Sequence, residues 1–228
     1  MFGAANSLFS GLAFSGVVYA IILQRREIGI AKDELDRTKL ILEKQEENIK
    51  IQNHDLKRQA FESTFFQLLR LLHEITDNID LIKNIGQAGQ SVTKGKDVFP
   101  VFIKRISRLY NSKTNLSHSK SERAIHAYEM FYIDHNTDLG HYFRFLYNIL
   151  KYVDNTDIEN KKFYTNLVRA QLSDAEVRIL YMNALSEHGN EKMKPYVETY
   201  SMLKNLKPAF DYDDELMSRF SIGTYIRV

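Results

Sequence analysis

From Gly3 to Leu23 the chain reads GAANSLFSGLAFSGVVYAIIL, a run of about 21 residues without one charged side chain. No other stretch restricts the fold so strongly. A helix rises about 1.5 Å per residue, so this run just crosses a hydrocarbon core of about 30 Å. Asn6, Ser7, Ser10 and Ser15 lower its hydropathy without adding charge. A secretory signal peptide would carry basic residues ahead of the apolar run and a small-residue cleavage site behind it. Here Arg25 and Arg26 come after the run, and no such site follows Ile22. The pattern is that of a signal anchor. Only Met1 and Phe2 precede the span, whereas Arg25, Arg26 and Lys32 follow it closely. That asymmetry predicts a single-pass helix over residues 1–23 with the carboxyl-terminal side in the cytoplasm. Ser7, Gly11 and Ser15 recur every fourth residue, lining one helical face with small side chains. Such a face lets two helix backbones approach closely in lipid, which makes it a candidate helix-association surface.

Residues 24–59 are rich in charge and free of proline. Ile28, Leu35, Leu42, Ile49 and Leu56 fall at an unbroken seven-residue interval, the period of a supercoiling seam. The second apolar position of each heptad is poor, being Ala31, Thr38, Gln45, Gln52 and Gln59. One good layer per heptad makes a weak coiled coil, so the segment is expected to be a helical stalk of a homo-oligomer held together elsewhere. The competing reading is a single amphipathic helix lying back on its own domain. Gly29 is the only blemish in the helical pattern, so one helix can run from the span into the domain.

Residues 60–228 read as an all-α domain. Phe61, Phe65, Leu68, Leu72, Ile75, Ile79 and Ile82 recur at steps of three and four, one broad apolar face of a helix. GQAGQSVTKGKD is expected to be a flexible loop. Further helices are predicted over about 98–111, 122–133, 138–154, 158–172, 176–185 and 195–206. KTNLSHSK is read as a loop. Asp138 is the expected N-cap of the helix DLGHYFRFLYNILKYVD, its carboxylate accepting the first orphan amides. Ser173 and Glu176 stand at capping-box spacing, and Gly189 is placed to end the helix that follows. The acidic run DYDDE lies in a less regular tail.

The chemistry that composition excludes is broad. No cysteine is present, which removes disulfides, thiolate metal sites and cysteine nucleophiles together. Histidines 118, 126, 135 and 141 show no metal-ligand spacing, so neither a metal nor another cofactor is expected. Phosphate-binding glycine loops and nucleophile elbows are absent from the sequence. A net charge of +2 is too small to mark a nucleic-acid binder, which leaves only local clustering. Lys94, Lys96, Lys104, Arg105, Arg108, Lys113, Lys120 and Arg123 crowd one region against Asp97 and Glu122. Lys104, Arg105, Arg108 and Lys113 form its basic patch, able to meet phosphates of nucleic acid or anionic lipid, or to be merely a solvated surface. On a helical wheel His141, Arg144, Asn148 and Lys151 share one stripe of an otherwise apolar helix. A wet or partner-facing edge accounts for that stripe without catalysis.

Four blocks carry a family resemblance: NSLFSGLAFSGVVYAIILQRREI, QAFESTFFQLL, LGHYFRFLYNILKYVD and RAQLSDAEVRILYMNAL. In this order they resemble the phage abortive infection protein family of membrane-associated bacterial antiphage proteins. The resemblance implies a place in the bacterial inner membrane, and it marks His141, Arg144, Arg169 and Gln171 as residues of the family blocks. It also implies a phage-derived or co-encoded protein as the partner sensed by the cytoplasmic domain. Family members carry membrane sequence upstream of these blocks, so one span is expected here where relatives have two. The family name supplies a role in defence and no chemical mechanism. The leading expectation is therefore a non-enzymatic, membrane-anchored effector. A membrane-tethered ribonuclease of the HEPN type is the alternative, with His141 and Arg144 as its catalytic pair. HEPN enzymes place the arginine first, about four to six residues before the histidine, whereas here the order is reversed. An adaptor that recruits a separate defence enzyme is the third reading.

Overall fold

Most of the stretches whose apolar residues recur every three or four positions are helical. The computed structural model describes residues 2–83, 91–112, 119–204 and 206–224. In chain order these give α1 (Phe2–Asp77), β1 (Asp80–Lys83), β2 (Ser91–Lys94), α2 (Val98–Tyr110), α3 (Lys120–Asn155), α4 (Lys161–Gln171), α5 (Asp174–Leu185), α6 (Met193–Thr199) and α7 (Asp213–Met217). The all-α class holds, with one small addition: β1 and β2 pair antiparallel, Asp80 opposite Lys94 and Lys83 opposite Ser91.

The chain divides into two units, Met1–Gln59 and Ala60–Val228. In the first, α1 carries its side chains exposed wherever they are described. Its amino-terminal part is long and apolar enough to cross a membrane, by length and composition. Ser15 Oγ donates to the Gly11 carbonyl oxygen at 2.8 Å, so this hydroxyl is satisfied within its own helix. Ile28, Leu35, Leu42, Ile49 and Leu56 are each more than half exposed.

The second unit is a helical bundle. α2 and α5 pack on α3, which also meets α4, α6 and α7. Residues 176–184 of α5 are all buried, as expected of a helix that carries neighbours on every side. Ala60–Asp77 of α1 joins this core through Phe61, Phe65 and Leu72, and the Phe61 ring lies 5.2 Å from that of Tyr152 and 4.8 Å from that of Tyr164.

Several sequence expectations need correction. The helix expected to reach Ile82 stops at Asp77, where Ile79 N–H turns back to the Thr76 carbonyl. β2 and the short 3₁₀ turn Gly95–Asp97 occupy the part of GQAGQSVTKGKD that is described; residues 84–90 lie outside it. Gly95 adopts a φ of +60°, a conformation that only glycine takes without strain, and its N–H donates to the Ile79 carbonyl at 2.9 Å. That bond closes the hairpin against the end of α1. Asp138 caps nothing. The two helices expected over 122–133 and 138–154 are one, α3, and Asp138 lies exposed inside it. The polar run from Asp134 to Asp138 has no proline or glycine to break the helix, and buried Phe131 and Leu139 hold it on both sides. The cap is Ser119, which forms a reciprocal capping box with Glu122. The box expected at Ser173 and Glu176 is present. Gly189 falls in the turn beyond α5, whose C-cap is Ser186. The helix expected over 195–206 ends at Thr199, and the irregular tail contains α7.

A buried ion pair fastens that tail. Arg178, on buried α5, places Nη1 2.8 and 2.7 Å from the two carboxylate oxygens of Asp213, and its Nη2 donates to the Lys207 carbonyl. Asp213 Oδ2 also accepts from the backbone amides of Ala209 at 2.7 Å and Phe210 at 3.0 Å. Both side chains are almost wholly withdrawn from solvent, 8% and 0% exposed. Removing one partner of such a pair strands a buried charge, at a cost of about 3–5 kcal/mol, whereas an apolar replacement of both is close to neutral. Asp213→Ala should therefore lower the thermal midpoint of the detergent-solubilised full chain far more than Arg178→Met/Asp213→Leu does. Equal losses in the single and double variants would show that the pair contributes no net attraction.

Candidate functional site

The stripe on α3 is real. His141, Arg144, Asn148 and Lys151 are all exposed, while Leu139, Tyr142, Phe143, Leu146, Ile149, Leu150 and Val153 are buried. A polar edge on an otherwise buried helix is the arrangement that the spacing predicts. The four residues do not share one environment, however. Arg144 lines a cleft and His141 does not. Lys151 Nζ lies 5.8 Å from the centre of the Tyr147 ring, within cation–π range.

The cleft lies between α3, the end of α5 and the turn leading into α6, and holds about 110 Å³. Tyr132, Gly140, Phe143, Arg144 and Tyr147 of α3 form one wall, and Asn183, His188, Lys192 and Met193 form the other. The Tyr132 and His188 rings stack at 4.2 Å across it. Tyr147 is braced from behind by Tyr196, ring to ring at 5.5 Å. Gly140 leaves room at the floor: a Cβ there would stand 3.2 Å from the Tyr132 hydroxyl oxygen. Desolvation raises the Tyr132 hydroxyl pKa, and the nearby Arg144 charge opposes part of that rise. The cleft was not visible in the sequence, because its two walls are some 40 residues apart in the chain. Only Arg144 had been singled out.

The other family-block residues act within the fold. Arg169 Nη1 donates to the Ser201 carbonyl at 2.9 Å, which steadies a non-glycine residue held at a φ of +50°. The Gln171 carbonyl accepts from Lys96 Nζ at 2.8 Å.

Four residues of the basic cluster make internal contacts. Besides Lys96, Lys120 pairs with Asp211 at 3.2 Å and Arg123 lies 4.4 Å over the Tyr110 ring. Arg105 Nη1 donates to His135 Nε2 at 2.9 Å. Lys104 and Arg108 are exposed on one face of α2, one helical turn apart. Lys113 and His118 lie outside the described residues. Among those described, no group of three histidine, aspartate or glutamate side chains is placed to hold a metal ion.

Residues 134–210 match the model of a family described as putative phage abortive infection protein, the same family that the four sequence blocks resemble. The match supports a role in phage abortive infection. It covers α3 from Asp134 onward, α4, α5, α6 and the turn that follows, and so takes in every cleft residue except Tyr132. No curated protein and no solved structure matches the chain.

The Arg105–His135 contact makes stability depend on pH. Burial and the Arg105 charge hold the His135 imidazole below its ordinary value of 6.5, against the opposing charges of Asp134 and Asp138. Folding therefore releases a proton between the lowered value and 6.5, and stability falls as pH drops through that window. The thermal midpoint of the full chain should decline as pH drops below the ordinary histidine value of 6.5, and His135→Gln should flatten part of that decline. An identical slope in the variant would remove His135 as its source.

Proposed function

We propose, from the match of residues 134–210 to the phage abortive infection family, that this chain is a membrane-anchored, non-enzymatic effector of that response. The observation that carries the reading is the uncharged amino-terminal part of α1, whose described side chains are exposed, on a chain whose remaining helices bury an ordinary core. About 21 residues of exposed apolar helix are costly in water and stable in a bilayer. The basic residues Arg25, Arg26 and Lys32 put the bundle on the cytoplasmic side of the bacterial inner membrane. There it senses a phage-derived signal or a co-encoded protein partner, and the response compromises the membrane or arrests growth. The chain self-associates. The seven-residue row from Ile28 to Leu56 leaves five large apolar side chains exposed on a helix, and a second copy in parallel orientation supplies the matching seam. With Thr38, Gln45, Gln52 and Gln59 at the alternate layers, the seam alone is weak. The close-packing face of Ser7, Gly11 and Ser15 adds to it within the membrane.

Two experiments test this. Induction of the full chain should collapse membrane potential while cellular RNA stays intact, and a form lacking residues 1–23 should do neither harm. Intact potential with degraded RNA, abolished by His141→Ala, would replace the reading with that of a tethered ribonuclease. For self-association, Gly11→Leu should lower the signal of a membrane two-hybrid assay, and Leu42→Asp/Ile49→Asp should lower it further. Signals equal to the parent in both variants would rule out the proposed seam and the small-residue face.

A further inference from the structure

The cleft on α3 combines three features that point to one chemistry. Its walls are aromatic, its floor is opened by a glycine, and apart from the tyrosine hydroxyls every ionisable side chain lining it is basic: Arg144, Lys192 and His188. No carboxylate lines it. The acids nearest in sequence are Glu187, whose carboxylate lies 3.8 Å from His188 Nε2 and is itself 76% exposed, and the exposed Glu191. Lys151 adds a further cation behind Tyr147. A volume of about 110 Å³ admits one ring, whereas pockets for drug-sized ligands run to about 300–1,000 Å³.

We propose that this cleft binds a small anion bearing a single planar ring, such as an aromatic phosphate or carboxylate. The ring enters the aromatic slot over Gly140, beside the stacked Tyr132–His188 pair, where contact with Phe143 and Tyr147 favours a flat face over a branched chain. The anionic group stays at the mouth, where Arg144 and Lys192 donate charge-assisted hydrogen bonds. The planar guanidinium of Arg144 suits a phosphate or carboxylate in two-point contact. His188 is occupied in holding Tyr132 by ring stacking, so its contribution is to the shape of the slot. The proposal rests on the cleft alone. It would give the cytoplasmic bundle a small-molecule input, and its failure would leave the effector reading intact.

Phenyl phosphate is the probe, titrated calorimetrically into the full chain in detergent micelles, with inorganic phosphate and phenol as the two halves of the ligand. Saturable binding is expected for phenyl phosphate, with each half at least about tenfold weaker. Arg144→Gln and Lys192→Gln should each weaken binding by about tenfold, the scale of a lost hydrogen bond to a charged group. Both side chains stand at the surface, so the thermal midpoint should not move. Gly140→Ala, which narrows the floor, should weaken phenyl phosphate and leave the weak binding of inorganic phosphate as it was. The proposal is overturned by any of three results: no saturable binding at millimolar phenyl phosphate, inorganic phosphate binding as well as phenyl phosphate, or full affinity in both cation variants. His141→Gln, outside the cleft, should bind like the parent.

Discussion

A charged arginine sits on the one helix that the bundle surrounds, and the fold is organised around making that tolerable. Arg178 lies within the stretch 176–184, where every residue is buried. A guanidinium there is stable only if its charge is balanced and its donors are used. Asp213 does the first, and the Lys207 carbonyl contributes to the second. Because both partners come from the tail, the tail cannot leave without stranding the charge. Other contacts extend the same attachment. Tyr181 Oη donates to the Asp213 carbonyl, Tyr110 Oη donates to Asp211, and Ser121 Oγ donates to Glu215. The segment 207–219 is thereby tied to the end of α2, the start of α3 and the middle of α5.

This explains what the sequence showed and what it hid. DYDDE reads in the sequence only as an acidic run in a less regular tail. In the fold its acids are divided: Asp213 is fully buried, Asp211 and Glu215 bridge to other helices, and Asp214 is exposed. No local pattern distinguishes these fates. The helical periodicities were legible because burial on one face imposes a three-to-four spacing on any sequence. Capping at Ser173 was legible for a similar reason, since the partners are three residues apart. Errors arose where a local signal competed with distant packing. Asp138 has the chemistry of an N-cap, but Phe131 and Leu139 are both in the core, and a break between them would have withdrawn one of the two. Ile82 fits the helical period of α1, yet β1 takes over at Asp80, where the backbone finds partners in β2.

Tyrosine recurs as the polar fastener of the bundle. Tyr164 donates to Glu62 at 2.8 Å, Tyr200 to Asp154 at 2.6 Å and Tyr142 to Glu176 at 3.1 Å. Each joins elements far apart in the chain. Burial raises the hydroxyl pKa of Tyr142 and Tyr200, and the facing carboxylate raises it further. Both stay protonated and able to donate at neutral pH. These three carboxylates thus accept from neutral hydroxyls.

The candidate site shows the same limit of local reading from the other side. A helical wheel put His141 and Arg144 on one stripe, and both are indeed exposed there. What separates them is the wall opposite, and that wall is set by Gly189. Its Cα packs so tightly on Asn183 that an added Cβ would stand 2.5 Å from the Asn183 Oδ1 and 2.8 Å from its carbonyl carbon. The Gly189 carbonyl in turn accepts from the Met193 and Lys194 amides at 2.9 and 3.0 Å. These contacts fold the turn that carries His188 and Lys192 back over α3, so that they face Arg144 and leave His141 outside. Gly189 was read as a helix stop. Its larger effect is to bring the second wall of the cleft onto the first, and a glycine is required because the backbone itself is the contact surface.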